Sequence, residues 1–507
     1  MAEIHRVGII GAGAMGAGIA QVCAQAGLSV MLYDAVGGAA QACIERLAGV
    51  FDTLVDKRKM SPQQRQQALA NLQVGQALAQ LGDCQLIIEA IVEKLDAKQR
   101  LFTELEQIVA PECILASNTS SLSITAIAAP CQHPSRVAGL HFFNPVALMK
   151  VVEVIDGLHT DPAVGERLMA LVSRLGHQPV RSRDTPGFII NHAGRAYGTE
   201  ALALLGERVA PVAVIDCILR ESMGFRMGPF ELFDLTALDV SHPVMESIYQ
   251  QYYHDPRYRP SVITRQRLEA GQLGRKSGEG FYRYPRPEAS AEAPVTLAEP
   301  GDRPAVWVGA DDPADLALLV AWLQALGLQL DRAATPAAGS LCLLAPYGRD
   351  ATGAALAFGT DPRRTLCIDM LPGLDRHRTL MCTPVTDARL LTFALAAFAQ
   401  DGVGVSLIED SLGFVCQRVM AAIVNLACEI AQQGVASPAH IDQAVRLGLG
   451  YPQGPLSWGD QLGAKRVLMI LQRMVDTAHD PRYRPSPWLR RRALLDVSLS
   501  HERAAGL

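Results

Sequence analysis

The chain has 507 residues and a formal net charge of −5, with 49% hydrophobic and 19% charged residues. That length exceeds one ordinary hydrophobic core and favours roughly three or four domains. The net negative charge, which no basic run offsets, argues against nucleic-acid binding. The eleven cysteines include no CxxC pair and no Cys/His cluster, so reduced thiols are expected and no metal site is predicted.

No apolar stretch predicts a membrane span. The longest, at 316–330, contains two glutamines and is too short to cross a bilayer. The chain begins with the strand-like segment RVGIIGAG, which leaves no room for a signal peptide. We therefore expect a cytoplasmic protein without a membrane partner.

The opening segment, up to Asp34, predicts a dinucleotide site. Val7–Ile10 form an apolar run typical of a buried parallel strand, and the glycine loop GAGAMG at 11–16 follows, then a helix and a second strand ending at Asp34. Glycines at these spacings allow a tight turn, a close approach to a pyrophosphate and close helix packing, and helix N-terminal amides face the phosphates. The predicted cofactor-binding residues of this loop are Gly11, Gly13, Ala14, Met15 and Gly16.

Asp34 ends the second strand at the spacing from Gly16 where a carboxylate can accept a hydrogen bond from the ribose 2′-hydroxyl of an adenosine. The following residues, AVGGAA at 35–40, offer no Arg or Lys to a 2′-phosphate, so NAD is favoured over NADP. FAD uses the same fingerprint, so the loop alone leaves the cofactor open.

Strands and helices continue to alternate up to about residue 183. The segments LIIEA, CILASNTSS, RVAGLHFFNP and KVVEVI are strand-like, and helical patterns lie between several of them. This alternation predicts a doubly wound α/β sheet, in which ligands bind beyond the carboxyl ends of the strands. EAIVE, SNTSS and HFFNP fall at those ends.

His141 and Glu153 are the best candidates for acid–base chemistry. His141 stands at a strand end, within the general position needed to take a proton from an alcohol. Glu153 is flanked by apolar residues, and a buried carboxylate requires a partner such as an imidazole. Position and burial alone leave open a satisfied core histidine and a structural ion pair.

Six separated motifs resemble the 3-hydroxyacyl-CoA dehydrogenase family. They are GAGAMGAGIA, EAIVEKLDAK, ASNTSSLSI, AGLHFFNPVALMKVVEVI, DTPGFIINH and MGFRMGPFELFDLTALDV, and they occur in the family's order within residues 1–283. The resemblance implies that His141 is the general base and Glu153 its charge partner. It further implies that Ser120 and Asn191 hydrogen-bond the substrate.

The same resemblance implies NAD as cofactor and an acyl-CoA thioester as substrate, with Glu93 and Lys98 lining the NAD site and Asn118 beside the nicotinamide. The chain departs from the family at His192, where an arginine usually follows the motif asparagine. The basic run KRK at 57–59 could reach CoA phosphates, but a solvated helix end explains such a run equally well.

The second half of the chain repeats the first. HDPRYRP occurs at 254–260 and again at 479–485, and other pairs recur with a nearly constant shift, such as GF at 187–188 and 413–414. We therefore predict a Rossmann-like α/β domain and an all-α helical domain, followed by a degenerate second copy of both. The predicted boundaries are an NAD-binding domain at 1–183, a helical substrate domain at 184–283, a linker at 284–300, a degenerate Rossmann-like domain at 301–409 and a second helical domain at 410–507.

The second copy lacks the residues of the predicted site. GAGAMG is replaced by GADDPA, GLHFFNP by TLCIDML, and Asn191 by Gln417. We expect this module to bind no dinucleotide and to catalyse nothing. Because single-module relatives pair through their helical domains, we expect either a homo-oligomer or a pseudo-dimer formed within one chain.

The resemblance implies oxidation of an (S)-3-hydroxyacyl-CoA, and the two-module length is similar to bacterial family members that oxidise 3-hydroxyadipyl-CoA in phenylacetate catabolism. Oxidation of 3-hydroxybutyryl-CoA is the alternative, and Arg195 and Arg226 are the candidate partners of a distal carboxylate. Two other functions stay open: a dehydrogenase of CoA-free hydroxy or sugar acids, and a non-enzymatic NAD-binding protein.

Overall fold

A computed structural model of the chain describes residues 3–285 and 303–502. They form two compact units: unit 1 is Met1–His192 with Gln433–Gly450, and unit 2 is Ala193–Gln432 with Tyr451–Leu507. The predicted linker at 284–300 lies outside the described residues except for its first two positions. The other domain boundaries stay predictions.

The centre of unit 1 is an eight-stranded sheet in the order β3-β2-β1-β4-β5-β6-β7-β8. All neighbouring strands are parallel except β6 and β7, which are antiparallel. The order reverses direction between β1 and β4, which makes the sheet doubly wound as predicted. The strands are β1 (Arg6–Ile10), β2 (Ser29–Tyr33), β3 (Leu72–Val74), β4 (Leu86–Glu89), β5 (Ile114–Ser117), β6 (Val137–Phe142), β7 (Val151–Asp156) and β8 (Gln178–Arg183).

Helices cover both faces of this sheet, which explains why its strands are near-continuous apolar runs. One hydrophobic core contains buried residues of α1, α2 and α6, and the other contains those of α4 and α5. The helices, numbered along the whole chain, are α1 (Ala14–Gln25), α2 (Ala39–Asp56), α3 (Pro62–Ala70), α4 (Leu95–Glu106), α5 (Ile124–Ala128), α6 (Pro162–Arg174), α7 (Ile190–Ala193) and α17 (Pro438–Gly448).

One helix of unit 1 comes from the distant second half of the chain. The helix α17 packs against β7 and β8. The segment before it accepts a hydrogen bond at Val435 O from Arg183 N (2.8 Å), and His440 Nδ1 lies 3.3 Å from Arg181 N. Because β8 is the edge strand of the sheet, these bonds satisfy amides that would otherwise face solvent.

Unit 2 contains a smaller sheet of five strands in the order β13-β12-β11-β10-β9. The strands β11 and β12 are antiparallel and the other pairs are parallel, which repeats the β6–β7 arrangement of unit 1. The elements are β9 (Val306–Ala310), α13 (Pro313–Ala325), β10 (Leu341–Ala345), α14 (Ala351–Phe358), β11 (Thr365–Ile368), β12 (His377–Cys382), α15 (Ala388–Ala397) and β13 (Gly404–Ile408).

Both helical regions contribute to unit 2. The first gives α8 (Arg195–Gly206), α9 (Val212–Met223), α10 (Pro229–Thr236), α11 (Leu238–Gln251) and α12 (Val262–Glu269), and the second gives α16 (Val415–Gln432), α18 (Pro455–Leu462), α19 (Ala464–Ala478) and α20 (Pro487–Leu495). Within this unit, α16 packs along α8. The predicted fold class, a Rossmann-like domain and a helical domain followed by a reduced second copy, is confirmed.

The repeated sequence folds alike in its two places. Each HDPRYRP segment forms a 3₁₀ turn, Pro256–Tyr258 and Pro481–Tyr483, and the preceding aspartate caps the turn through its side chain. Asp234 accepts hydrogen bonds from the backbone of Phe281 and Tyr282 (2.8 and 2.9 Å), and Asp460 accepts one from Leu499 N (2.8 Å). The duplication is therefore present in the structure as well as in the sequence.

Candidate active site

The glycine loop after β1 has the geometry that its sequence predicts. Gly11 adopts φ 106°, and a Cβ there would lie 2.4 Å from Ala90 O. A Cβ at Gly16 would lie 1.8 Å from Gly11 O, whereas a Cβ at Gly13 would meet nothing within 4 Å. The first and third glycines are thus fixed by packing, and the second leaves open space beside the start of α1, whose first amides have no partner within the helix.

Asp34 stands at the end of β2, beside this loop. Its carboxylate accepts hydrogen bonds from Ala12 N (2.7 Å) and Val36 N (2.8 Å), and Arg46 on α2 donates to Ala12 O (3.3 Å). Arg46 lies outside the segment 35–40, from which NAD was predicted, and α2 brings this cation back to the loop. The residues present fit a dinucleotide, with the glycine loop for its pyrophosphate and Asp34 for a ribose.

A buried lysine connects the ends of β4 and β5. Lys98 on α4 is 1% exposed, and its Nζ donates to Glu89 Oε1 (2.6 Å) and lies 3.2 Å from Glu93 Oε2. Glu89 also accepts a hydrogen bond from Ser117 Oγ (2.7 Å). Sequence reasoning missed the role of Glu89, although a carboxylate at the end of the apolar strand LIIE signals a buried ion pair.

Glu93 organises the serine-rich loop after β5. Its Oε1 accepts hydrogen bonds from Thr119 Oγ1 (2.6 Å), Ser120 N (3.0 Å) and Ser121 Oγ (3.0 Å). Burial opposes ionisation of Glu93, but the bonds from Thr119 and Lys98 outweigh it and lower the pKa of this carboxyl. Glu93 and Lys98 therefore hold the loop that carries Ser120, which is a positioning role in addition to the predicted contact with NAD.

His141 and Glu153 lie directly opposite each other on the antiparallel strands β6 and β7. His141 Nδ1 is 2.6 Å from Glu153 Oε2, and the two residues are 4% and 0% exposed. Phe143 and Phe188 flank the imidazole, with ring centroids 4.3 and 5.9 Å away. Within the described chain no group hydrogen-bonds the other ring nitrogen, Nε2, so this nitrogen can accept a proton while Glu153 stabilises the cation.

The turn after β8 fixes the carboxylate of Glu153. Its Oε1 accepts hydrogen bonds from Ile189 N and Ile190 N, both 2.9 Å. Both amides point inward because Gly187 and Phe188 adopt φ of 79° and 48°. A left-handed phenylalanine is a strained conformation of the kind found at functional sites, and here it shapes the motif DTPGF.

Three polar residues near this pair join loops of unit 1. Asn191 Nδ2 donates to Ser120 O (3.4 Å), so the two predicted substrate-binding residues lie together. Asn118 Oδ1 accepts a hydrogen bond from Phe142 N (2.8 Å), which ties the end of β5 to the end of β6. The structure thus brings together the four predicted catalytic residues, His141, Glu153, Ser120 and Asn191.

The remaining predicted contacts are less defined. His192 is fully buried, while the basic run at 57–59 is exposed at the end of α2. Burial lowers the pKa of Arg195, the first residue of α8, to about 10, and Arg226 is exposed.

No three His, Cys, Asp or Glu side chains in the described ranges are grouped to hold a metal ion. Within the same ranges, no helix is long and apolar enough to span a bilayer.

Family models match most of the chain. The 3-hydroxyacyl-CoA dehydrogenase NAD binding domain matches residues 6–185, and the C-terminal domain of the same enzymes matches twice, at 187–284 and 413–498. The chain therefore belongs to the 3-hydroxyacyl-CoA dehydrogenase family and is an NAD-dependent oxidoreductase. The second match of the C-terminal domain is independent support for the duplication of the helical region.

Individual relatives extend this assignment along the whole chain. The 3-hydroxyadipyl-CoA dehydrogenase of Escherichia coli K12 is 36% identical over 98% of this chain and 99% of its own length. A crystal structure of a 3-hydroxybutyryl-CoA dehydrogenase from Escherichia coli K12 has a TM-score of 0.87 and 36% identity, covering 97% of this chain and 99% of the other. A 3-hydroxybutyryl-CoA dehydrogenase of Bradyrhizobium diazoefficiens is 40% identical but covers only 56% of this chain.

Proposed function

We propose that this enzyme oxidises (S)-3-hydroxyadipyl-CoA to 3-oxoadipyl-CoA in the cytoplasm, within phenylacetate catabolism. The observation that carries the chemistry is the buried His141–Glu153 pair with its open Nε2. His141 Nε2 takes the proton of the 3-hydroxyl group, and Glu153 stabilises the imidazolium that forms. The glycine loop and Asp34 would hold NAD, which would supply the acceptor for the hydride that leaves C3.

Ser120 and Asn191 hold the substrate oxygen as it becomes a carbonyl. Their contact (3.4 Å between Asn191 Nδ2 and Ser120 O) keeps both polar groups together in unit 1. In the reverse direction the same donors stabilise the developing alkoxide, which His141 then protonates. Glu93 supports this arrangement because it holds the backbone of Ser120.

The adipyl group is favoured by the relative of that name, which matches nearly the whole chain. The butyryl group is the second candidate, because a solved structure that also matches the whole chain carries that name. NADH formation with the two (S)-3-hydroxyacyl-CoA substrates distinguishes them through the ratio of kcat/KM. Absence of turnover with both would contradict the proposal and direct attention to CoA-free hydroxy acids.

Variants of two arginines sharpen this test. If a cation binds the distal carboxylate, its replacement lowers kcat/KM for the adipyl substrate and leaves the butyryl substrate unaffected. Arg195→Met is the first variant, because Arg195 is the less exposed of the two candidate arginines. Arg226→Met is the matched control at an exposed arginine.

We also propose that the two helical copies pair within one chain as a pseudo-dimer. In unit 2, Arg418 on α16 is 1% exposed and donates to Glu200 Oε1 (2.8 Å), Glu207 Oε1 (2.9 Å) and Tyr483 Oη (2.9 Å). The shift that pairs Gly187 with Gly413 also pairs His192 with Arg418. Two identical first copies would therefore present a histidine where Glu200 needs an arginine.

Sedimentation of the full-length chain tests this pairing, and a monomer is the expected result. Removal of everything after position 290 exposes the pairing surface of the first helical copy, so the truncated protein should aggregate or lose activity. A truncated protein that stays soluble, active and monomeric would contradict the proposal.

A further inference from the structure

The last residue of α17, Gly448, fits directly against the candidate active site. A Cβ at this position would lie 2.5 Å from Ile190 Cδ1, 3.0 Å from Cγ1 and 3.2 Å from Cγ2. Ordinary contacts between carbon atoms are about 3.5–4.0 Å. All three distances are shorter, so a Cβ at this position would require the Ile190 side chain to move.

Ile190 is one of the two residues that hold the Glu153 carboxylate. Its backbone N–H donates to Glu153 Oε1 (2.9 Å), and its side chain is 1% exposed. Glu153 Oε2 in turn lies 2.6 Å from His141 Nδ1. A displacement of Ile190 is therefore transmitted through one hydrogen bond to the carboxylate, and through a second to the imidazole.

The segment that carries Gly448 is firmly attached to this domain. Within unit 1, Arg183 N donates to Val435 O (2.8 Å) before α17, and the helix packs along β7 and β8. Glu153 itself is on β7. The segment 433–450 therefore contacts both the strand that carries Glu153 and the turn that binds it.

The equivalent positions of the other copy show the same contact with a different fit. The shift that pairs Gly187 with Gly413 aligns Gly448 with Ser222 and Ile190 with Cys416. In unit 2, burial raises the pKa of the Cys416 thiol, and the neighbouring Ser222 hydroxyl opposes that rise. Isoleucine thus lies against glycine beside the His–Glu pair, whereas the smaller cysteine lies beside serine in the copy that lacks this pair.

We propose that Gly448 is a positioning residue for catalysis, and that the second helical copy is retained because its segment 433–450 completes the active site of the first copy. The proposal rests on the role of His141 and Glu153 in the proposed function. It assigns to the second half of the chain an indirect part in the reaction, through the backbone of Ile190.

The test is Gly448→Ala in the full-length chain, with kcat and KM measured for (S)-3-hydroxyadipyl-CoA and NAD. A shift of about 1 Å near a reacting group can cost on the order of 100-fold in rate, and we expect kcat to fall by at least about tenfold. The KM for NAD should not change, because the hydrogen bonds that hold the glycine loop, from Gly11 N to Tyr33 O and from Ala12 N to Asp34 Oδ2, do not involve Ile190. Ile190→Val removes the Cδ1 atom, which makes the shortest of the three contacts, so the double variant should recover part of the lost kcat.

Gly206→Ala is the matched control. Gly206 is the last residue of α8, as Gly448 is of α17, and a Cβ there would lie 3.7 Å from Ile263 Cδ1, an ordinary contact. Both substitutions change helix propensity equally. Unchanged kcat in Gly206→Ala separates the effect of the contact from that of an added methyl group.

Two results would overturn the inference: native kcat in Gly448→Ala, or a loss that Ile190→Val leaves unchanged. A crystal structure of Gly448→Ala gives a readout that needs no activity. It should show longer distances from Ile190 N to Glu153 Oε1, and an unchanged 2.9 Å distance would also reject the inference. If the native enzyme fails to form NADH, the proposed function fails, and this structural readout still decides the role of Gly448.

Discussion

Two loops of the molecule align in sequence: GAGAMG after β1 in unit 1 and GADDPA after β9 in unit 2. They differ in what lies beside the helix that follows each loop. In unit 1 the second glycine leaves open space beside the start of α1. In unit 2, Asp311 forms an ion pair with Arg473, and Asp312 Oδ2 accepts a hydrogen bond from Arg466 Nη2 (2.8 Å). Asp312 also caps α13 through Ala314 N (2.9 Å). A helix N-terminus that can bind an anionic ligand is thus satisfied by the chain's own carboxylates.

The two antiparallel strand pairs differ in the same way. Across β6 and β7, His141 faces Glu153. Beside β11 and β12, Asp369 N donates to Thr379 O (3.0 Å), and the Asp369 side chain, which is fully buried, accepts a hydrogen bond from Gln417 Nε2 (3.1 Å). Both units keep the antiparallel strand pair, because its apolar residues form part of their hydrophobic cores. A few polar substitutions replace the His–Glu pair in unit 2.

The largest expected effect concerns His141. His141→Gln removes the proton acceptor, and we expect kcat to fall by at least about 100-fold, since general-base catalysis contributes roughly 10²–10⁴-fold. The measurement is NADH formation with (S)-3-hydroxyadipyl-CoA. Asp369→Asn, at the matching strand end of unit 2, should leave kcat unchanged. Equal losses in both variants would remove the distinction between the two modules.

Lys98→Met should destabilise unit 1. This change leaves the buried carboxylate of Glu89 without its cation, and breaking a buried ion pair costs about 3–5 kcal/mol. In unit 2 the strand β10, with the sequence LCLLA, ends at Ala345 and carries no carboxylate. Urea unfolding of the full-length chain measures the loss. Lys94→Met, at an exposed position, is the control, and an equal effect would contradict the role of burial.

Asp369 should make the stability of unit 2 depend on pH. Burial raises the pKa of Asp369 to about 7 from an ordinary value near 3.8, so the folded state binds a proton that the unfolded state releases. The free energy of unfolding contributed by this group is therefore present below pH 3.8 and falls as the pH rises to about 7.

Asp369→Asn cannot titrate, so its stability relative to the native chain should increase over the same pH range. The difference has an upper limit of about 4 kcal/mol, since each pKa unit corresponds to about 1.36 kcal/mol. Urea unfolding at pH 4 to 8 measures it. Asp216, whose pKa burial raises to about 6, is common to both proteins and cancels. Parallel pH profiles for variant and native chain would reject the assignment.

The smallest effect is expected at the altered loop of unit 2. Asp312→Ala removes a helix cap and a half-exposed ion pair, which should cost about 1 kcal/mol. Calorimetric titration should still find one NAD bound per chain, because Asp311 remains paired with Arg473. Asp161→Ala removes a side-chain cap of the same kind from α6 and is the control for stability. Two bound NAD molecules would mean that the second loop is still a cofactor site.

Much of the candidate site could be predicted from local sequence. The glycine loop depends on residues within one strand–turn–helix unit, and the role of each glycine follows from backbone geometry. The pairing of His141 with Glu153 was a prediction from burial and from family motifs, and the structure brings the two residues to 2.6 Å. Their roles in catalysis stay predictions until the variants are measured.

Other contacts could not be predicted, because they join residues far apart in sequence. Arg46 reaches Ala12 O only because α2 folds back along the sheet. Lysine is usually a surface residue, and the sequence around Lys98 does not mark it as buried. Only the packing of α4 against β4 makes it a buried partner of Glu89. Each such contact depends on how two elements pack, and side-chain periodicity does not specify that.

The sequence by itself determined the family, the duplication and the replacement of the site motifs in the second copy, because short motifs and a nearly constant shift between repeats identify each of them. Only the tertiary structure decided that a helix from the second half of the chain packs against the sheet formed by the first half. The helix α17 lies in the opposite half of the chain from β8, yet it covers this strand and places Gly448 against Ile190. Edge-strand hydrogen bonds and close steric fit produce that arrangement, and both exist only once the chain has folded.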